Sequence, residues 1–505
     1  MASAMLARLF QQDYQPIPNS AYEVENPSAS RRHHVPSNCY NRYRGCSTGR
    51  AKWRKLLLRG LLITIGANFV LLLLTPIFNP SYSKRPAHFS GRNVRNETVF
   101  IAANIIDEGL IRGAWGRSVR GLVELIGPEN VFLSIYENDS GPGVKSALKE
   151  FAADINCRSA VVSGHIDKSK LPTVQILPHD ARVKRIRYLA DVRNNAIEPI
   201  TNFELLHSTT APFSTPLTKF DKLLFLNDIV FSPRDAADLL FSTNMQADGR
   251  TRYNAACAMD FIDPIKFYDR LALRDNEYFE SGLPIYPWFV RTGQRAESWH
   301  DVVNQKDAVR VKSCWGGMIA FEARWFTESL GKDLTPLQFR SEPDTFWDAS
   351  ECCLVNADLE YLVQKVDGTP VETFVNPYIR VAYNEKTFKW LEFTRRFERL
   401  GLLLQMGISW LSGMPRISAR IGDVTGEKVI RQEWVYTEPT NQEGRDIDNQ
   451  DYTLEDIPKF GSWQKEERTV TPGGYCGFPG LLALKNHYNE NERPWESIRS
   501  VAAAE

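Results

Sequence analysis

The chain alternates between two apolar rhythms. Uninterrupted apolar runs of strand length appear as "TVFIAANI" from Thr98, "VFLSIY" from Val131, "SAVVSG" from Ser159 and "KLLFL" from Lys222. Between them, apolar residues recur three or four positions apart. Ile111, Trp115, Val119, Leu122 and Ile126 do so until Gly127-Pro128 stops the helix. "VKSALKEFAAD" and "RVKRIRYLADVRNNAIEPI" read as the next two helices. Strands apolar on both faces, alternating with helices, predict an α/β, Rossmann-like domain whose mostly parallel sheet is covered by helices. Sites in such sheets open at the C-terminal ends of the strands. That rule selects Asn104, Asp107 and Glu108 after the first strand and Glu137 and Asp139 after the second. It also selects Asn227-Asp228, where "KLLFL" stops and apolar residues resume at once.

Ahead of this pattern, Gly60 to Phe78 carries no charge. That length suits a helix crossing a hydrocarbon layer of about 30 Å, and Arg59 at one end can snorkel. A single transmembrane helix over 56–78 is predicted. A cleaved signal peptide fits less well, because fifty-five residues precede the run and no small-residue cleavage site follows. Residues 1–55 hold nine Lys/Arg against three acidic residues and lack apolar periodicity. They read as a disordered cytosolic tail, and the positive-inside rule then places everything after 79–97, a short stem, in a lumen. A luminal body fits Cys157, Cys257, Cys314, Cys352, Cys353 and Cys476 beyond the membrane, with no C-x-x-C zinc spacing. It also fits the sequons at Asn96 and Asn138. The domain is expected over 98–420, followed by an extension, 421–505, packed on it. "FERLGLLLQMGISWL" from Phe397 is too short to span and predicts a core or interfacial helix.

Lys+Arg and Asp+Glu number 61 each, so the chain is neutral and no nucleic-acid partner is expected. The chain contains no Gly-x-Ser-x-Gly, P-loop or Gly-x-Gly-x-x-Gly motif. This argues against serine hydrolases, P-loop enzymes and dinucleotide oxidoreductases. Eight His without helical ligand spacing argue against a His-rich zinc site. Carboxylate chemistry remains. Asp228 at a strand end suits a divalent cation, which takes oxygen ligands and bridges phosphates; a turn Asp closing the strand is the plainer alternative. Arg193-Asn194, on the helix before that strand, suits a diphosphate because the guanidinium fork matches phosphate oxygens; a solvated basic face competes with that reading. Three later stretches combine carboxylates, aromatics and cysteines; each alone reads as a solvated loop, while the cysteines and aromatics argue against full exposure. The three are "YNAACAMDFIDP" with Asp260 and Asp263, "VKSCWGGMIAFEA", and "FRSEPDTFWDASECCLVNADL" with Glu342, Asp344, Asp348 and Glu351.

The ordered set "FIAANIIDE", "NVFLSIYEND", "RIRYLADVRNNAIEPI", "KLLFLNDIVFSPRD", "YNAACAMDFIDPIKFYDR", "VKSCWGGMIAFEA", "RSEPDTFWDASECCLVNADL" and "VNPYIRVAY" resembles the fungal capsule-associated α-1,3-mannosyltransferases. The resemblance runs from about Val99 to Tyr383. It implies a GT-A-like fold, GDP-mannose as donor, a mannose-containing glycan as acceptor, and a divalent cation, manganese ahead of magnesium. It also implies transfer with retention and a type II protein of the Golgi membrane, where an enzyme complex is a further partner to expect. Asp228 becomes the metal residue, and Asp228, Glu351 and Asp260 the catalytic set. Arg193, Asn194, Asn227, Asn104 and Glu137 would bind the donor. GT-A enzymes carry Asp-x-Asp where this chain has Asn227-Asp228-Ile229. The second metal ligand is therefore open among Asp260, Asp348 and Glu351. The missing carboxylate also admits a second class of function, a catalytically silent luminal subunit that binds glycan. The Asp-rich loops alone would admit a metal-dependent phosphate-ester hydrolase, against which the Arg193-Asn194 helix argues.

Overall fold

The computed structural model describes residues 47–207, 213, 217–291, 293–327, 330, 334–438, 452–489 and 492–499. The expected tail, with Cys39 and Cys46, lies almost wholly outside the described residues. Helix α1 spans Ser47–Phe78 and contains a stretch, Lys55–Phe78, long and apolar enough to cross a membrane. The expected stem is folded onto the domain. Tyr82 and Phe89 are buried in its core. Tyr82 Oη donates to Val302 O at 3.2 Å, Arg85 pairs with Asp235 and Asp238, and Gly91 N donates to Asp238 Oδ1 at 2.7 Å.

The predicted strands and helices form where the two rhythms place them. They are β1 (Val99–Asn104), α2 (Ala114–Ile126), β2 (Val131–Asn138), α3 (Pro142–Asp154), β3 (Arg158–Gly164), α4 (Arg185–Ile197) and β4 (Lys222–Leu226). Gly127, at φ 99°, ends α2. Beyond them lie α5 (Pro233–Ser242), β5 (Ala255–Phe261), β6 (Arg274–Asp275), β7 (Val309–Ser313), β8 (Met318–Glu322), α6 (Glu351–Val366), β9 (Thr373–Ala382), α7 (Glu385–Thr394) and α8 (Gly401–Leu411). The nine strands make one sheet in the order β3-β2-β1-β4-β8-β5-β9-β7-β6. β3, β2, β1 and β4 run parallel, β8 is antiparallel to both β4 and β5, and β9 is parallel to β5. Helix α4 lies against β1 and β2, and α5 against β5, β8 and β9. This is the GT-A-like α/β class expected, with two antiparallel strands that the reading by alternation did not separate.

The three stretches read as loops are mostly regular structure. "YNAACAMDFIDP" supplies β5, every residue of it buried. "VKSCWGGMIAFEA" supplies β7, β8 and a tight turn, with Gly316 and Gly317 at φ 58° and 68°. The third supplies the short strand Trp347–Ala349 and the start of α6. Apolar burial outweighs their carboxylates, of which Asp348 and Glu351 are paired inside the fold with Lys184 and Arg193.

The extension is joined to the domain. Gly477–Pro479 pairs antiparallel with Trp347–Ala349, and disulfides link Cys353 to Cys476 and Cys257 to Cys314. Among the described residues Cys157 and Cys352 are free and buried. Of the two sequons, Asn96 is exposed, whereas Asn138 is buried and donates to Tyr188 Oη at 2.9 Å.

Candidate active site

Strand β4 is buried along its length and ends because it changes partners. Asn227 N makes the last bond to the β8 side, donating to Gly317 O at 3.0 Å, and Ile229 N folds back to Asn227 O at 2.9 Å. Val230 then pairs with Ala382 of β9, with bonds of 2.7 and 3.1 Å. Asn227 and Asp228 occupy the kink between the two pairings, at the C-terminal edge of the parallel strands.

Asn227 is held from three sides. Its carbonyl accepts from Trp115 Nε1 at 3.2 Å, and its Oδ1 accepts from Arg193 Nη1 and Trp315 Nε1, each at 3.2 Å. Arg193 sits in an aromatic box, 4.3 Å from the Trp315 ring centre, 5.2 Å from Phe225 and 5.8 Å from Phe339. Its Nε donates to Glu351 Oε1 at 3.0 Å. Both partners are buried, so this guanidinium is committed inside the protein and not presented on a solvated face. Asn194 grips the chain instead, exchanging two bonds with the backbone of Phe339 at 2.9 and 2.8 Å.

Asp228 remains partly open to solvent. Burial pushes its carboxyl up to about 7, Asp107 adds to the shift, and Arg193 opposes it. Beside Asn227 is a polar cavity of about 20 Å³, lined among others by Arg185, Arg193, Asp260, Asp269, Glu351 and Tyr383. That is room for roughly one water. Glu351 Oε2 is buried without a hydrogen-bond partner among the described residues. Asp260 accepts from Tyr383 Oη at 2.7 Å and from Asp269 N at 3.1 Å. Burial, then the neighbouring Asp269, raises the Asp260 carboxyl to about 8. Asp269 in turn accepts from Gly316 N and Ala272 N, both at 3.1 Å, which fixes the β7–β8 turn.

Other candidates lie elsewhere or are engaged in the framework. Asp348 lies 3.4 Å from Lys184 Nζ and accepts from Leu482 N at 3.0 Å, tying the extension to the domain. Asn104 donates to the carbonyls of Tyr136 and Val192, both at 3.1 Å. Glu137 accepts from Ser140 N at 2.5 Å. Asp107 caps a short helix by accepting from Leu110 N at 2.9 Å. Asp263 caps its own loop through Ile265 N and Lys266 N. The sequence reading missed Trp115, Asp269, Phe339, Tyr383 and Arg185. Tyr383 follows β9, whose C-terminal end the strand-end rule would have flagged had β9 been recognised. Asp269 has no local signal.

Among the described residues no three His, Cys, Asp or Glu cluster as a metal cage. A hard cation beside a diphosphate needs only one or two protein carboxylates, the rest coming from phosphate and water. Asp228, charged only at a cost and without an ion-pair partner among the described residues, fits that demand.

A carboxylate at a kinked strand end over a mostly parallel sheet is placed where binding sites of such sheets open. Residues 98–358 match the family described as cryptococcal mannosyltransferase 1, and the chain belongs to that family. It is a glycosyltransferase of mannosyltransferase type. Among solved structures the chain is similar to the mannosyltransferase PcManGT of Pyrobaculum calidifontis, determined with GDP-Man and Mn2+. The two are 12% identical with a TM-score of 0.31, over 67% of this chain and 72% of that one. No curated protein matches the chain.

Proposed function

We propose that the protein transfers mannose from GDP-mannose to a mannose-containing glycan with retention, forming an α-1,3 linkage. It would depend on a divalent cation, manganese ahead of magnesium, and act on the luminal face of the Golgi membrane. The observation that carries this reading is Asp228, held at the kink after β4 beside Asn227, which Trp115, Arg193 and Trp315 hold in place. Asp228 would hold the cation. When bound, the cation offsets the charge of the departing diphosphate. Asn227 fixes the backbone that aims Asp228, and the unbonded side of its amide faces the donor ribose. Arg193 is a positioning residue, acting through Asn227, and Glu351 holds Arg193. Asp260, whose carboxyl burial and Asp269 push well above the usual range, keeps Tyr383 at the cavity wall. Asn194 orders the Phe339 segment beside the donor. Asn104 and Glu137 act at longer range, by fixing the ends of β1 and β2.

The full chain, purified in detergent, tests the reading through GDP-mannose hydrolysis, which needs no knowledge of the acceptor. Manganese-dependent release of GDP that Asp228→Asn abolishes is expected. Binding of mannose-rich glycan without GDP release by the parent would favour a silent luminal subunit.

A further inference from the structure

Helix α8 is amphipathic in the reverse sense for a helix facing water. Its polar Gln405 and Ser409 are fully buried, while Leu404, Ile408, Trp410 and Leu411 are 61%, 46%, 80% and 76% exposed. Gln405 Nε2 donates inward to Phe289 O at 3.4 Å. The elements just before it continue the apolar surface. Trp390, Phe393 and Phe397 are each nearly half exposed and form a ladder of rings at 5.6 and 5.3 Å. Exposed Lys386, Lys389 and Arg396 lie among them, with exposed Glu385, paired to Lys389, and Glu392 on α7. Aromatic rings beside basic residues on an apolar face are the composition of a segment lying in a membrane interface. A contiguous apolar surface of this kind is unusual on a soluble monomer.

The position of the patch identifies what covers it. The C-terminal part of α1 packs against the 3-10 turn Arg395–Leu400, which joins α7 to α8. There Leu72, Thr75 and Pro76 are partly covered, whereas the rest of the stretch Lys55–Phe78 is exposed. Immediately afterwards, Arg395 Nη1 donates to Tyr82 O at 2.9 Å and Ser81 Oγ bonds to Glu398. The uncharged run from Gly60 to Phe78 rises roughly 28 Å as a helix, about the thickness of the hydrocarbon. Residues touching its last turns therefore lie at the membrane boundary.

We propose that α7, the 3-10 turn and α8 form a second membrane contact, seated in the headgroup–acyl boundary of the leaflet from which α1 emerges. The occupant is phospholipid. Buried Gln405 and Ser409 turn the polar face of α8 into the protein and leave its apolar face to the lipid. The exposed lysines and Arg396 reach the headgroups. The inference rests on α1 being the spanning helix and is independent of the donor sugar.

The test uses the full chain in phosphatidylcholine vesicles, with and without bromine on the acyl chains, and the conservative double variant Trp390→Phe, Trp410→Phe. Bromolipid quenching of tryptophan fluorescence should fall by at least half in the variant, while quenching by aqueous acrylamide stays unchanged. Equal bromolipid quenching in both proteins would overturn the proposal. In that case, a smaller acrylamide response in the variant would mean that the rings face water, and an unchanged one that protein covers them. Alkaline carbonate separates the two failures. A chain stripped from the vesicles overturns the spanning reading of α1 and the patch with it. A chain that stays, without a bromolipid difference, overturns the patch alone.

Discussion

At the residue scale, the proposed chemistry rests on Asp228. Its folded carboxyl titrates near 7, against about 3.9 in an unfolded chain. The folded state therefore holds the proton more tightly, and metal-free stability falls as pH rises from about 4 to about 7. Asp228→Asn removes that loss. In EDTA its thermal midpoint should match the parent near pH 4 and exceed it at pH 8. Manganese with GDP should raise the parent's midpoint and leave the variant's unmoved, with activity down about 100-fold or more. A variant midpoint that rose with manganese and GDP would move the metal role away from Asp228. Arg193 behaves differently, because the pair it makes with Glu351 is buried. Arg193→Ala leaves a buried carboxylate alone and should cost about 3–5 kcal/mol in denaturant titrations. Adding Glu351→Gln should recover part of that loss. An Arg193→Ala chain of parental stability but weak GDP binding would instead put the guanidinium on the diphosphate.

Elements explain which parts of the fold could be read in advance. β1, β2 and β4 announce themselves because both faces are buried and their apolar runs are unbroken. Asn227-Asp228 was legible for the same reason, since a polar pair after such a run stands out. β5 was hidden by Asp260, whose carboxylate is satisfied by Tyr383 and Asp269, residues distant in sequence or lacking any pattern. The start of α6 was hidden likewise by Glu351, whose charge is answered by Arg193, far away in sequence. Charge satisfied across the fold looks like charge exposed to water when only neighbours in sequence are considered. The turn joining β7 to β8 depends on Gly316. A Cβ there would meet Ala258 O at 1.9 Å, in a backbone at φ 58°. Gly316→Ala should cost about 2–5 kcal/mol, combining left-handed strain with overpacking. Gly249, at φ 77° with open space around it, isolates the first effect, and Gly249→Ala should cost only about 1–2 kcal/mol. Equal losses in urea melts would remove the special role of the Gly316 turn.

On the scale of the whole molecule, the two sequons are unequal. Asn138 is built into the C-terminal end of β2, whereas Asn96 is exposed after the packed segment 79–93. For a luminal domain, Asn96→Gln should abolish the mobility shift on enzymatic deglycosylation. Asn138→Gln should keep the shift and lower stability. A shift that survives Asn96→Gln would show that Asn138 is exposed during synthesis. The packed segment has a further consequence. As a flexible coil, the nineteen residues from 79 to 97 could span about 25 Å, enough to let a catalytic domain sweep a volume above its anchor. Folded against Val302, Asp235 and Asp238, they give no such reach. With α1 as the proposed membrane anchor, the enzyme would be mounted, not leashed. Its acceptors are then met at a fixed height, and encounter rates should follow how densely glycans are displayed on the surrounding membrane. Glycans free in the compartment would gain nothing from the anchor.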